Sequence, residues 1–224
     1  MKLIRILIIG LIFIGCNQKN NQAIAMGKGQ IRKLQKEKIV TDEEEIQNLI
    51  RKVLFWADFI NDFGVEPIIR LTDSQGRFYI GFDLNGHKKF LDMLREIDLF
   101  AKEFIENYNQ IILTLDKKLR NNEYEKWLVG KLPPFNFAND YNPWCNCQDA
   151  PYDSPNPWDC VEVKVIEINN DRAQLIWTWG GLNSNMDSSW KEFSYNFRTV
   201  KENGKWKIAY MEGFDFEQGV KGLE

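Results

Sequence analysis

The spacing of the apolar residues changes once along this chain, and that change limits the architectures open to it. From Ile46 to Leu119 apolar side chains recur every three or four positions, whereas from Val161 to Tyr210 they recur every second position. A helix repeats its faces about every 3.6 residues and a strand every two, so helices come first and strands last. Helices followed by consecutive strands joined by short turns define an α+β domain, here N-terminal helices packed on a curved, mostly antiparallel sheet.

The first stripe opens with Thr41-Asp42-Glu43-Glu44, a capping box whose acids suit a helix N-terminus. Ile46, Leu49, Ile50, Val53, Ala57 and Ile60 then predict a helix over 42–62, widened by Trp56 and Phe63 and stopped by Gly64 and Pro67. Ile68–Leu71 and Phe78–Ile80 flank Asp73–Gly76 as a short hairpin. Helical spacing resumes from Gly86 through Leu119, and Asn122–Val129 reads as a further short helix closed by Gly130. Four strands follow, carried by Val161–Val165, Ala173–Trp179, Phe193–Phe197 and Trp206–Tyr210, with turns at Asn169–Asp171 and Glu202–Lys205.

Between the two regimes, residues 131–157 hold six of the seven prolines. Each removes a backbone donor and restricts its predecessor, so this segment is a long, stiff, irregular loop. Loops of that length are characteristically functional or mobile. The organisation is therefore 1–15, 16–40, a domain over 41–217 and a C-terminal tail over 218–224.

Residues 1–15 have their own logic. Lys2 and Arg5 precede an apolar run from Ile6 to Ile14, too short for the roughly 20 residues of a membrane-spanning helix. The run ends in Gly15-Cys16, and a polar tract rich in Asn, Gln and Lys follows to about residue 40. This pattern resembles a bacterial lipoprotein signal, with Phe13 standing where Leu is usual. The resemblance implies cleavage before Cys16, a lipid on its thiol, a flexible tether over 16–40, and a bacterial cell envelope location, lipid-anchored at the outer membrane.

The strand ending Asn203–Met211, the stretch Tyr79-Ile80-Gly81-Phe82-Asp83, and the apolar pattern Phe90-Leu91, Leu94 and Phe100–Ile105 are similar to secreted bacterial members of the nuclear transport factor 2-like superfamily. That resemblance implies a cone: a curved sheet wrapped around helices, with a pocket at its open end. It carries no single reaction, since members include dehydratases, isomerases and dimerisation modules.

Chemistry-bearing residues are sparse. A formal net charge of −3 and a pI near 5.5 exclude a nucleic-acid binder built on clustered Lys and Arg. The single histidine, His87, lies between Gly86 and Lys88-Lys89 and reads as a surface residue. Asp58 and Asp62 are one turn apart, on the helix face of Gln47 and Arg51, and read as solvated. Nucleophile elbows, phosphate loops and dinucleotide fingerprints are missing from the sequence, so no catalytic residue and no cofactor is assigned.

With Cys16 acylated, Cys145, Cys147 and Cys160 remain. A disulfide from Cys145 or Cys147 to Cys160 would close the Pro-rich loop onto the first long strand. The same three thiols with His87 or a carboxylate could instead bind zinc, but the Cys-x-Cys spacing is not that of structural zinc sites. Asp149, Asp153, Asn156 and Asp159 lack the calcium-loop register, and no metal is assigned.

Six of the eight tryptophans lie in the last 81 residues of the chain. Trp177, Trp179 and Trp206 read as sheet core, while Trp144, beside Tyr141 in the Pro-rich loop, reads as an exposed contact. If a pocket exists, Trp144, Trp177, Trp179, Tyr195 and Tyr210 are the candidates to line it. The expected role is a ligand-binding or protein-interaction module, with a small apolar ligand, an envelope protein or a second copy as partner. The alternative is an isomerase- or dehydratase-like cone enzyme acting on a small hydrophobic substrate.

Overall fold

Of the 224 residues, the computed structural model describes 41–60, 70–150, 157–182 and 187–223. Cys16, the tether, Asp62, Asp153 and Asn156 lie outside the described residues.

The first helix, α1 (Asp42–Phe55), starts where the capping box places it. The Glu44 N–H donates to Thr41 Oγ1 and the Thr41 N–H to the Glu44 carboxylate, both at 3.2 Å. It does not run on regularly to residue 62: at Trp56 it widens into a π-helical turn, Trp56–Ile60. Such insertions leave a helix continuous but rotate the side chains beyond them. A small antiparallel hairpin follows, β1 (Arg70–Thr72) and β2 (Phe78–Phe82), then α2 (Leu84–Glu96) and α3 (Lys102–Arg120). The helix expected over 122–129 is replaced by a third strand, β3 (Trp127–Leu128), pairing Leu128 with Phe78 and Trp127 with Tyr79. Sheet pairing and aromatic packing outweigh the weak helical preference of so short a segment.

The last third forms the expected meander: β4 (Val161–Asn169), β5 (Arg172–Trp179), β6 (Tyr195–Glu202) and β7 (Lys205–Met211), all antiparallel and in sequence order. Two short helices, α4 (Ser188–Glu192) and α5 (Phe216–Gly219), complete the described elements. The architecture is α+β with two antiparallel sheets.

The inner face of the large sheet carries Leu175, Trp177, Phe197, Ile208 and Met211, none of them exposed, against the buried stripes of α1 and α3. Each such side chain contributes about 1.5–3 kcal/mol of hydrophobic stabilisation. The outer face is polar, with exposed Glu162, Lys164, Gln174, Asn196 and Arg198.

Both edges of this sheet are covered in part. On β7, the Ile208 N–H donates to Leu99 O at 2.9 Å and the Ala101 N–H to Ile208 O at 2.8 Å. On β4, Arg51 donates twice to Val161 O, at 3.1 and 2.8 Å, and Gln47 Nε2 reaches Val163 O at 3.5 Å. The helix face expected to be solvated is thus a cap on carbonyls that an edge strand otherwise leaves open. Asp58, in the π-helical turn after α1, is bonded as well: it accepts the Trp158 indole N–H at 2.7 Å.

Candidate functional site

The Pro-rich loop positions the site. Its segment Asn142–Cys147 is a tight turn closed by a disulfide between Cys145 and Cys147, whose Cα atoms are 5.1 Å apart, and Cys160 carries a free thiol. The expected bridge to Cys160 is therefore corrected. Within the turn, Asn142 Oδ1 accepts the Trp144 N–H at 2.9 Å, and the Asn142 N–H donates to Cys147 O at 2.9 Å. A positive φ at Asn146 suits the turn, since Asn tolerates the left-handed region.

This geometry drives Trp144 inward. It is fully buried, with ring centroids 5.3 Å from Trp56, 5.6 Å from Phe100 and 4.6 Å from Phe214. The exposed contact expected of Trp144 is corrected for a physical reason: in a loop, the turn and its docking decide which way a ring points, and loop residues have no periodicity to reveal it. Trp177, Trp179 and Tyr195 are buried in a second aromatic cluster with Phe193 and Trp158.

His87 is also corrected. It is buried on the inner face of α2, with Nε2 bonded to Asn109 Oδ1 at 3.1 Å and its ring edge-on to Tyr108. Burial lowers its pKa, opposed by the hydrogen bond to Asn109. Its ring meets the Asn109 amide and the Tyr108 phenol rather than the carboxylate that would make it a poised base.

Beside the turn lies a cavity of about 250 Å³. Phe82 and Trp127 from the small sheet, and Phe135, Phe137 and Tyr141 from the loop, supply its aromatic walls; Arg70, Ala138, Asn142 and two prolines complete it. Arg70 holds its guanidinium 5.4 Å from the Tyr79 ring centroid and 5.0 Å from that of Trp127, a cation–π arrangement. The Tyr141 hydroxyl titrates above its ordinary range because of burial and the nearby Glu212 carboxylate.

Each wall is fastened. The Phe82 N–H donates to Asp116 Oδ1 at 2.7 Å, and Asp116, buried on α3, accepts Arg120 Nε at 2.8 Å. Gly81, at φ +153°, permits this approach, since a Cβ there would stand 2.7 Å from Asp116 Oδ1. The loop wall is stitched to the segment after α5: the Phe137 N–H donates to Gly219 O and the Leu223 N–H to Pro134 O. The Tyr124 hydroxyl adds a 2.6 Å bond to Val220 O.

Of the five aromatic residues proposed to line a pocket, Tyr210 borders an open cleft among the described residues, a different one. That cleft, about 540 Å³ on the outer face of the large sheet, is polar, with Arg198, Asn196, Glu212 and Asp215. Its groups largely satisfy one another: Arg198 stacks on Tyr210 at 4.4 Å, the Tyr210 hydroxyl donates to Asp215, and Asn196 donates twice to Glu212. Burial and Asp215 push the Tyr210 hydroxyl up to about 12.

Sequence reasoning missed Arg70, Phe82, Trp127, Phe135 and Phe137. The available signal was the run of aromatics threaded between prolines and asparagines from 133 to 144. Among the described residues, no cluster of His, Cys, Asp and Glu could hold a metal ion, and no helix is long and apolar enough to cross a membrane. No protein-family model matches this chain, and neither the curated proteins nor the solved structures yield a match.

Proposed function

We propose that this chain is a bacterial envelope lipoprotein, anchored through Cys16, whose domain is a nuclear transport factor 2-like cone that binds a small, flat, largely apolar ligand. The carrying observation is the aromatic cavity between the small sheet and the Pro-rich loop. Flat rings with few, well-placed polar groups are the usual lining of small-molecule sites, and this volume suits a ligand on the order of ten non-hydrogen atoms. The cone reading is supported by the element order and by α1 and α3 packing on the large sheet. The anchor reading is supported by the Met1–Cys16 pattern.

Binding fits this cavity better than catalysis. Its ionisable lining groups among the described residues are Arg70 and Tyr141, and neither is a carboxylate or a histidine. A homodimer through the large sheet draws little support from its outer face, where exposed Glu162, Lys164, Gln174, Asn196 and Arg198 outnumber the exposed Ile166 and Ile168 of β4.

Native mass spectrometry of the full chain, purified from an expressing bacterium without added ligand, tests the binding reading. A stoichiometric extra mass is expected, released on denaturation and absent from Ala138→Trp, which fills the cavity from a half-buried position. An unliganded wild-type mass, or a bound mass retained by Ala138→Trp, overturns it. The same preparation, digested, is expected to give an acylated N-terminal Cys16 peptide.

A further inference from the structure

We propose that the outer side of the small sheet, with the turn from Leu128 to Leu132, is a docking surface for an anionic lipid bilayer. Leu128, Val129 and Leu132 are 47%, 42% and 57% exposed, and Leu71 and Ile80 of the same sheet are exposed as well. Isolated exposed aliphatics are ordinary on a protein surface, but five around one three-stranded sheet make a patch.

The turn is built rather than slack. The Val129 N–H donates to Arg77 O at 3.0 Å, the Lys131 N–H to Leu128 O at 3.1 Å, and the Trp127 indole to Lys131 O at 2.9 Å. These three bonds hold the apolar side chains outward and satisfy part of the turn's backbone, which lowers the cost of its approach to hydrocarbon. At its apex Gly130 has a positive φ, and a Cβ built there would have nothing within 4 Å. The turn projects.

Charge selects the occupant. Phe78, directly opposite Leu128 in the ladder, lies beneath two cations, with Arg77 and Lys126 each 5.6 Å from its ring centroid. Lys131, also exposed, sits in the turn itself. Asp73, in the turn between β1 and β2, accepts the Arg77 and Phe78 N–H groups and stays ionised, and Glu125 borders the cleft shared with Arg120, so the three cations Arg77, Lys126 and Lys131 face two acids. An apolar tip flanked by cations matches the layering of a membrane, hydrocarbon within and phosphate outside. A protein partner would instead need a concave apolar surface for the tip. The proposal stands on this patch alone and holds whether or not Cys16 is acylated.

Hydroxyl-radical footprinting of the full chain tests it, with the exposed Ile166 and Ile168 of β4 as internal controls. Oxidation of Leu128, Val129 and Leu132 is expected to fall about tenfold on vesicles of phosphatidylcholine with phosphatidylglycerol, and less on phosphatidylcholine alone. Ile166 and Ile168 should be unchanged. Lys126→Glu with Lys131→Glu, both at exposed positions that leave the core intact, should erase the difference between the two lipids. Unchanged oxidation of the turn on anionic vesicles overturns the proposal, as does equal protection of turn and controls. Concentration-dependent protection without vesicles overturns it too, and assigns the patch to a second copy.

Discussion

The Tyr195 hydroxyl donates to the Pro143 carbonyl at 2.7 Å and accepts the Gly213 N–H at 3.0 Å. One buried phenol on β6 therefore ties the Pro-rich loop to the turn that follows β7. Gly213 packs against the Pro143 backbone so closely that a Cβ there would overlap the Pro143 carbonyl. Burial pushes the Tyr195 hydroxyl well above its ordinary range, so it stays protonated and remains a donor.

Tyr195→Phe leaves the Pro143 carbonyl and the Gly213 N–H without this partner inside the core. A buried unsatisfied group costs about 1–3 kcal/mol, and that loss is the expected fall in unfolding free energy. Denaturant titration checks it. A variant as stable as wild type would mean the clamp does not hold the loop.

Trp144 and the disulfide beside it act on the same loop. Closing so short a ring stabilises by on the order of 1.5 kcal/mol, whereas truncating a buried Trp costs about 3–5 kcal/mol. Trp144→Ala is thus expected to destabilise more than Cys145→Ala with Cys147→Ala. Non-reducing peptide mapping should find Cys145 and Cys147 lighter by two hydrogens and Cys160 open to alkylation. A crosslink to Cys160 would refute the pairing.

His87 is the sole histidine, so its titration can be assigned without ambiguity. Its folded pKa lies below the ordinary 6.5 because burial disfavours the charged ring. Its contribution to stability is therefore full above pH 6.5 and is lost as the pH falls toward the folded value. Stability should decline below pH 6.5 in wild type and less steeply in His87→Phe. The imidazole resonance of the native protein should titrate below 6.5; titration at or above that value would contradict the burial.

Asp98 ends the turn after α2 and meets Lys205 at 2.8 Å and Lys207 at 2.5 Å. Hydrogen bonds from Lys205 and then Lys207 lower its carboxyl from 3.8 to about 2. Its contribution is present above pH 3.8 and fades as the pH falls through about 2. Asp98→Asn keeps a residue that tolerates the positive φ of 57° and removes the charge. It should flatten the acid limb of the stability curve between those values while leaving the far-ultraviolet spectrum unchanged.

Much of the fold was legible. The capping box at Thr41, the stripes of α1 and α3 and the alternation of β4 to β7 are local patterns, because burying one face of a regular element imposes its period on the sequence. The cavity was not legible. Arg70 and Phe82 share a local hairpin, but Trp127 joins them only by pairing across α2 and α3, and Phe135, Phe137 and Tyr141 belong to a loop that repeats nothing.

The sequence by itself determined where the main helices and the four long strands lie, where the Pro-rich break falls, and that the chain opens with an apolar run ending in Gly15-Cys16. Only the tertiary structure decided that Trp144 is buried, that His87 and Asp58 have internal partners, and that Cys145 pairs with Cys147. The reason is the range of the interactions. Periodicity records a side chain's relation to its own helix or strand, whereas a loop takes its orientation from hydrogen bonds to residues far along the chain, such as that from Tyr195 to Pro143.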